Sequence, residues 1–179
     1  MNLVKVEVLY SREELRQKVA EMGKQITNDY KGQELLVVGI LKGAFIFMAD
    51  LVREINIPLE VDFMDVSSYG LSTSSSGEVR IIKDLEYSIH DKDVLIVEDI
   101  VDTGLTLKYI SEILKNRNPR SLKICCLLDK PSRRKADIVP DYAGYSIPDK
   151  FVVGYGLDYA EQYRNYPEVY ILKPSAYER

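Results

Sequence analysis

The run Val94-Leu95-Ile96-Val97-Glu98-Asp99-Ile100-Val101-Asp102-Thr103-Gly104-Leu105-Thr106 constrains the chain more than any other stretch, because an apolar β-branched segment gives way at once to carboxylates, hydroxyls and a glycine. A buried strand that breaks into a loop at its carboxyl end reads this way. Leu105 to Leu114 follows with apolar residues at helical spacing, so the unit is strand, loop, helix. The first N–H groups of that helix have no partner within it and point toward the loop. A phosphate suits such a loop: Thr103 and Thr106 add hydroxyl donors, and Gly104 lets the backbone approach closely. Glu98 and Asp99 oppose an anion there unless they face water, or Mg²⁺ or sugar hydroxyls satisfy them. Asp102, inside the loop, is a candidate general base. Taken locally, the competing reading is a sheet edge closed by a solvated acidic turn.

At 179 residues and 46% hydrophobic content, the chain has room for one domain with a sizeable core and a small appendage. Its formal charge of −4 argues against a protein whose main task is gripping nucleic-acid backbone. The basic run Ser132-Arg133-Arg134-Lys135 is short and lacks interleaved aromatics, and reads as a solvated turn or a weak pyrophosphate or subunit contact. Cys125 and Cys126, adjacent in the strand-like run Leu122 to Leu128, point to opposite faces and read as buried thiols. No run reaches membrane-spanning length without charge, and Met1 to Tyr10 lacks a signal peptide's apolar centre, so a cytoplasmic protein without a membrane partner is expected.

Val4, Val6 and Val8 suggest a short first strand, and Ser11 with Glu14 has capping-box spacing ahead of Leu15, Val19, Met22 and Ile26 at helical intervals. Leu35 to Leu41 reads as a buried strand, Lys42-Gly43 as a loop, and Ala44 to Arg53 as an apolar helix, repeating the opening logic. Leu59 to Ser67 is another strand. Ser68 to Gly77 holds nothing that builds a core and reads as a mobile surface segment, while Val79 to Ile82 resumes an apolar pattern that can pair back as a hairpin arm. After Leu122 to Leu128 the chain turns at Asp129-Lys130-Pro131; Tyr142 to Pro148 reads as a strand and turn, and Val169 to Leu172 belongs to a last short strand. These units predict an α/β fold: a doubly wound, mainly parallel sheet with flanking helices, its core at about 10–135. A small hood from about 1–9 and 136–179 sits over the carboxyl edge. Ligands bind such sheets at the carboxyl ends of strands, where Lys42, Asp102 and Lys130 all fall. If the hood presents a planar second substrate, Phe151 offers a stacking face, and Lys130, with three donors and no acceptor, selects an exocyclic oxygen over an amine.

The stretch from Glu98 to Thr106 resembles the phosphoribosyl-pyrophosphate (PRPP) signature of the type I phosphoribosyltransferases. Leu127-Leu128-Asp129-Lys130 and Ile147-Pro148-Asp149-Lys150-Phe151-Val152-Val153-Gly154-Tyr155-Gly156-Leu157-Asp158-Tyr159 are similar to stretches of that family's hypoxanthine-guanine branch. The resemblance implies purine salvage: hypoxanthine or guanine and PRPP give IMP or GMP and pyrophosphate. It implies that Glu98 and Asp99 meet the ribose hydroxyls with Mg²⁺ nearby, and that Asp102, Thr103, Gly104, Leu105 and Thr106 hold the 5′-phosphate. Leu41, Lys42 and Gly43 match the pyrophosphate loop, in which the peptide bond before the Lys is often cis, and Arg164 reaches the same group. On the base side, Lys130 bonds O6, Phe151 stacks, and the Val152 backbone reads a ring N–H; Asp158 joins them and helps bind a second Mg²⁺ with pyrophosphate. Ser68 and Tyr69 begin a flexible loop that closes over the site. The implied partners are a 6-oxopurine, PRPP and further copies of the chain, as a homodimer or homotetramer, with no nucleic acid. Two alternatives differ in class. An RNA-binding regulator on this fold needs a basic face; an adenine or pyrimidine transferase is not expected to pair Lys130 with Phe151.

Overall fold

The computed structural model describes residues 6–68 and 79–174. Its main sheet has six strands in the order β4-β3-β2-β5-β6-β7, where β2 is Leu35–Leu41, β3 Leu59–Ser68, β4 Val79–Lys83, β5 Asp93–Val101, β6 Ser121–Asp129 and β7 Tyr142–Ser146. All neighbours run parallel except β4, which pairs antiparallel with β3 as the predicted hairpin arm. The fold class is therefore the one expected. Strand β2 continues through α2 (Phe45–Glu54) to β3 on one side, whereas β5 lies on its other side. The order reverses between β2 and β5, so a crevice opens at their carboxyl ends.

Both faces of the sheet are covered, which is why its inner strands are apolar almost without alternation. On one face Leu15, Val19, Met22 and Ile26 of α1 (Arg12–Asp29) and Phe47, Met48 and Leu51 of α2 pack against Val37, Leu95, Val97 and Cys125. On the other, Leu107, Ile110 and Leu114 of α3 (Leu105–Lys115) pack against Val38, Val94, Ile96 and Cys126. Cys125 and Cys126 are free, buried and divided between the faces. Gly39 lets α2 approach: a Cβ there would meet Met48 Sδ at 2.2 Å. The capping box forms as read, with the Glu14 carboxylate accepting from the Ser11 backbone N–H at 2.8 Å. Among the described residues no helix is long and apolar enough to cross a membrane.

A second sheet, in the order β1-β9-β8, joins Val6–Tyr10, Val169–Leu172 and Val152–Val153 antiparallel and makes the hood. The stretch 136–179, assigned to the hood, also contains β7. Tyr142–Ser146 pairs with Cys125–Asp129 as the main sheet's edge strand, because Tyr142 buries its ring beside α1 and its hydroxyl donates to Asp29 at 2.7 Å. The hood proper thus begins after Ser146. Tyr69 and the segment 71–76 lie outside the described residues, and Ser68 is described only as the end of β3.

Candidate active site

Strand β5 ends between two loops, and each supplies part of the crevice. From β2 comes the turn Leu41-Lys42-Gly43, entered through a cis peptide bond between Leu41 and Lys42. Gly43 lies directly under the Asp99 carboxylate: a Cβ there would sit 1.8 Å from Asp99 Oδ2. Any other residue would push the carboxylate away. From β5 itself comes the loop Asp102-Thr103-Gly104, which enters α3 with Gly104 at φ +78° and no side-chain cap. The first N–H of α3, on Leu105, makes a long contact to Thr103 Oγ1 at 3.5 Å; N–H groups at a helix start are what a phosphate seat uses. A cleft of about 190 Å³ is lined there by Leu41, Glu98, Asp102, Thr103, Gly104 and Thr106.

The carboxylates differ in surroundings. Glu98 Oε2 is buried without a hydrogen bond among the described residues. Burial, then the neighbouring charge of Asp99, pushes the Glu98 carboxyl well above its ordinary range. Burial likewise pushes Asp99 up to about 6, against the N–H groups of Ile100 and Asp99 itself, which favour the anion. A divalent cation fits this donor set. Mg²⁺ takes hard oxygens, keeps several waters and is completed by substrate phosphates, so an orphaned carboxylate oxygen beside a second carboxylate is sufficient protein contribution. Among the described residues no three acidic, His or Cys side chains converge as a self-contained metal cage, and Glu98, Asp99 and Asp158 are no exception.

Asp102 sits outside this dry pair. Arg133 Nε donates to its Oδ1 at 3.0 Å, with both side chains about half exposed, and Arg133 also reaches Asp149 at 3.5 Å. The basic run at 132–135, read as a solvated turn or weak contact, is in part a clamp. Arg134 donates to the Asp102 carbonyl at 3.1 Å and pairs with Asp129, while Lys135 N–H and Ala136 N–H both donate to the Thr103 carbonyl. Sequence pattern missed this because charge near a strand end looks the same whether it faces water or backbone.

Lys130 follows β6, with its N–H on the Val101 carbonyl at 2.9 Å, and only 6% of it is exposed. Burial lowers its pKa, with Asp102 and Asp149 opposing that fall. The hood carries Phe151, 40% exposed and edge-on to Tyr159 at 5.6 Å, and then Val152, buried in β8. The hood also touches the Lys42 turn, since a Cβ on Gly156 would meet the Gly43 carbonyl at 2.2 Å. Arg164 donates to the Gly156 carbonyl at 2.8 Å and pairs with Asp158 at 2.9 Å. Glu161, which the sequence reading did not single out, bridges Lys42 at 3.0 Å and Arg164 at 3.3 Å.

Contacts across the seam join the Lys42 turn and Asp99 of the main sheet to Gly156, Glu161 and Arg164 of the hood. A larger hollow of about 430 Å³ lies at the sheet's amino ends, around Leu35, Asp93 and Arg120. It lacks a comparable set: Asp93 is already paired with Arg120 at 2.9 Å and Ser121 at 2.6 Å.

Comparison with known proteins converges on the same chemistry. Residues 5–160 match the family model of the phosphoribosyl transferase domain. The chain is 58% identical over 171 residues to a hypoxanthine-guanine phosphoribosyltransferase of Bacillus subtilis, covering 96% of this chain and 95% of that one. A protein of the same name from Staphylococcus aureus is 57% identical, with 96% of each covered. The crystal structure of a Staphylococcus aureus hypoxanthine phosphoribosyltransferase superposes with a TM-score of 0.93 at 57% identity, covering 97% of this chain and 94% of that one.

Proposed function

The chain belongs to the phosphoribosyltransferase family, in its hypoxanthine-guanine branch, and from that premise we propose how its own residues transfer ribose 5-phosphate from PRPP to a 6-oxopurine. The observation that carries the assignment is Lys130, a nearly buried ammonium just past the carboxyl end of β6. Its donors match the purine O6. An amino group at that position would leave donors on both sides unpaired, at about 1 to 3 kcal/mol in a closed pocket. Phe151 keeps enough exposed ring to stack on the base.

The 5′-phosphate lies in the 102–106 loop against the N-terminus of α3, which orients C1 of the sugar toward the base. N9 of the purine forms its bond to C1 as the bond from C1 to the pyrophosphate oxygen breaks, and the electron pair leaves with pyrophosphate. Asp102 accepts the N7 proton, which becomes acidic as positive charge spreads into the ring; Arg133 gives up its exposed contact to let it do so. Lys42 and Arg164 stand where charge grows on the leaving group. Glu98 and Asp99 are the residues that would hold Mg²⁺, and Asp158 would serve a second ion. When bound, the metal supplies Lewis acidity that weakens the breaking C–O bond.

Pyrophosphate release from PRPP, measured with Mg²⁺ and each base in turn, tests the reading. Hypoxanthine and guanine should both turn over, and adenine should be slower by about tenfold to a hundredfold in kcat/KM. Adenine used as well as hypoxanthine would remove the O6 assignment.

A further inference from the structure

The two cations assigned to pyrophosphate share one carboxylate. Glu161 Oε2 accepts from Lys42 Nζ at 3.0 Å, and Glu161 Oε1 accepts from Arg164 Nη2 at 3.3 Å. Lys42 belongs to the main sheet's turn and Arg164 to the hood, so Glu161 reaches both sides of the seam that Gly156 and Gly43 close. The turn that presents it is conformationally unusual: Ala160, Glu161 and Tyr163 have φ of 51°, 62° and 76°. Residues with a Cβ hold left-handed backbone only where their surroundings impose it. The Glu161 N–H is anchored on Asp158 Oδ2 at 2.9 Å.

A clasp built for stability would be dry. This one is wet, with the Lys42 and Glu161 side chains 61% and 65% exposed, and ion pairs so exposed are weak and easily displaced. Losing Glu161 would not free Arg164, which keeps Asp158 at 2.9 Å and the Gly156 carbonyl at 2.8 Å. The carboxylate sets two oxygens against the same two cations that one phosphate of pyrophosphate would meet.

We propose that Glu161 is an internal counter-anion that competes with pyrophosphate for Lys42 and Arg164, so that PRPP displaces it on entry and its return speeds departure of the product. The inference rests on the assignment of Lys42 and Arg164 to pyrophosphate. It makes Glu161 a tuner of the leaving-group side, because its carboxylate bonds Lys42 and Arg164.

Glu161→Gln, compared with the unaltered full chain at saturating Mg²⁺, tests it. The inhibition constant for product pyrophosphate and the KM for PRPP should both fall, by about three- to fivefold, with the KM for hypoxanthine unchanged. In a Lys42→Met background the same substitution should have a smaller effect, since one of the contested cations is gone. A pyrophosphate constant that stays put or rises in Glu161→Gln overturns the inference, as does an equal effect in both backgrounds. Lys42→Met by itself separates the two levels. If that variant binds pyrophosphate as tightly as the unaltered chain, the assignment of Lys42 fails; if it binds more weakly while Glu161→Gln changes nothing, only the counter-anion fails.

Discussion

Strand β5 places acids in two regions three residues apart, and the chain treats them oppositely. Asp99 lies against Gly43 and Glu98 lines the cleft at the start of α3, and burial raises both carboxyls. Asp102, past the last strand residue, is 39% exposed and already holds an arginine. Environment, not residue type, thus divides the labour. Glu98 Oε2 is left without a hydrogen bond among the described residues, whereas the loop carboxylate is partly exposed and paired with Arg133. A chemical step that separates charge needs both.

The loop side of that comparison is the easier to break. Asp102→Asn keeps the size and the Thr103 to Thr106 backbone but removes the proton acceptor. Turnover should fall about a hundredfold or more, with PRPP affinity changed by less than about twofold, because phosphate contacts come from the loop and α3. Pre-steady-state formation of nucleotide and direct PRPP titration separate the two. A loss in turnover below about threefold would mean that the loop carboxylate is no base and that the contrast with the buried pair has no chemical meaning.

Lys130 sharpens the comparison, being a buried cation whose charge is supported from the exposed side by Asp102 and Asp149. Lys130→Ala should lower kcat/KM for hypoxanthine by about tenfold to a hundredfold, mainly through KM, since one charge-assisted hydrogen bond is lost. The preference over adenine should shrink in step. An unchanged KM for hypoxanthine would place the base elsewhere and detach the hood from substrate recognition.

How far the sequence foretold this site depended on the kind of signal. Apolar runs located β2, β5 and β6 within a residue or two, and helical spacing found α1 and α3 with looser ends, because burial of whole faces writes itself into composition. The loops at the strand ends were equally legible, since Gly43 and Gly104 stand where a carboxylate and a positive φ demand them. Arg134 and Glu161 were not, for their partners are backbone carbonyls or side chains far away in the chain: Glu161 meets Lys42 across 119 residues, and no local spacing encodes that contact. Tyr142 was ambiguous for the same reason. Its strand reads as well for a hood as for a sheet edge, and only its ring's place beside α1 and Asp29 decides between them.

The strand-end side gives the smallest expected effect and the one with the clearest sign. A carboxyl whose pKa is higher folded than unfolded binds its proton more tightly in the fold, so its support for the native state is complete below the unfolded value and is lost as pH rises through the folded one. For Asp99 that window runs from about 4 to about 6, and for Glu98 it extends well above the ordinary carboxyl range. The ligand-free protein therefore carries, at neutral pH and above, a destabilising pair that exists for its ligands. Glu98→Gln removes the charge while keeping the shape. Its Tm in scanning calorimetry without ligands should exceed that of the unaltered chain by about 2 to 4 °C at pH 8, the gap should close by pH 4, and the KM for PRPP should rise. Groups with lowered pKa, such as Asp62 and Asp84, slope the other way at lower pH in both proteins and cancel in the difference. A variant less stable than its parent at pH 8 would mean that Glu98 already has a favourable partner in the fold. The two acidic regions of β5 would then differ in exposure but not in what they wait for.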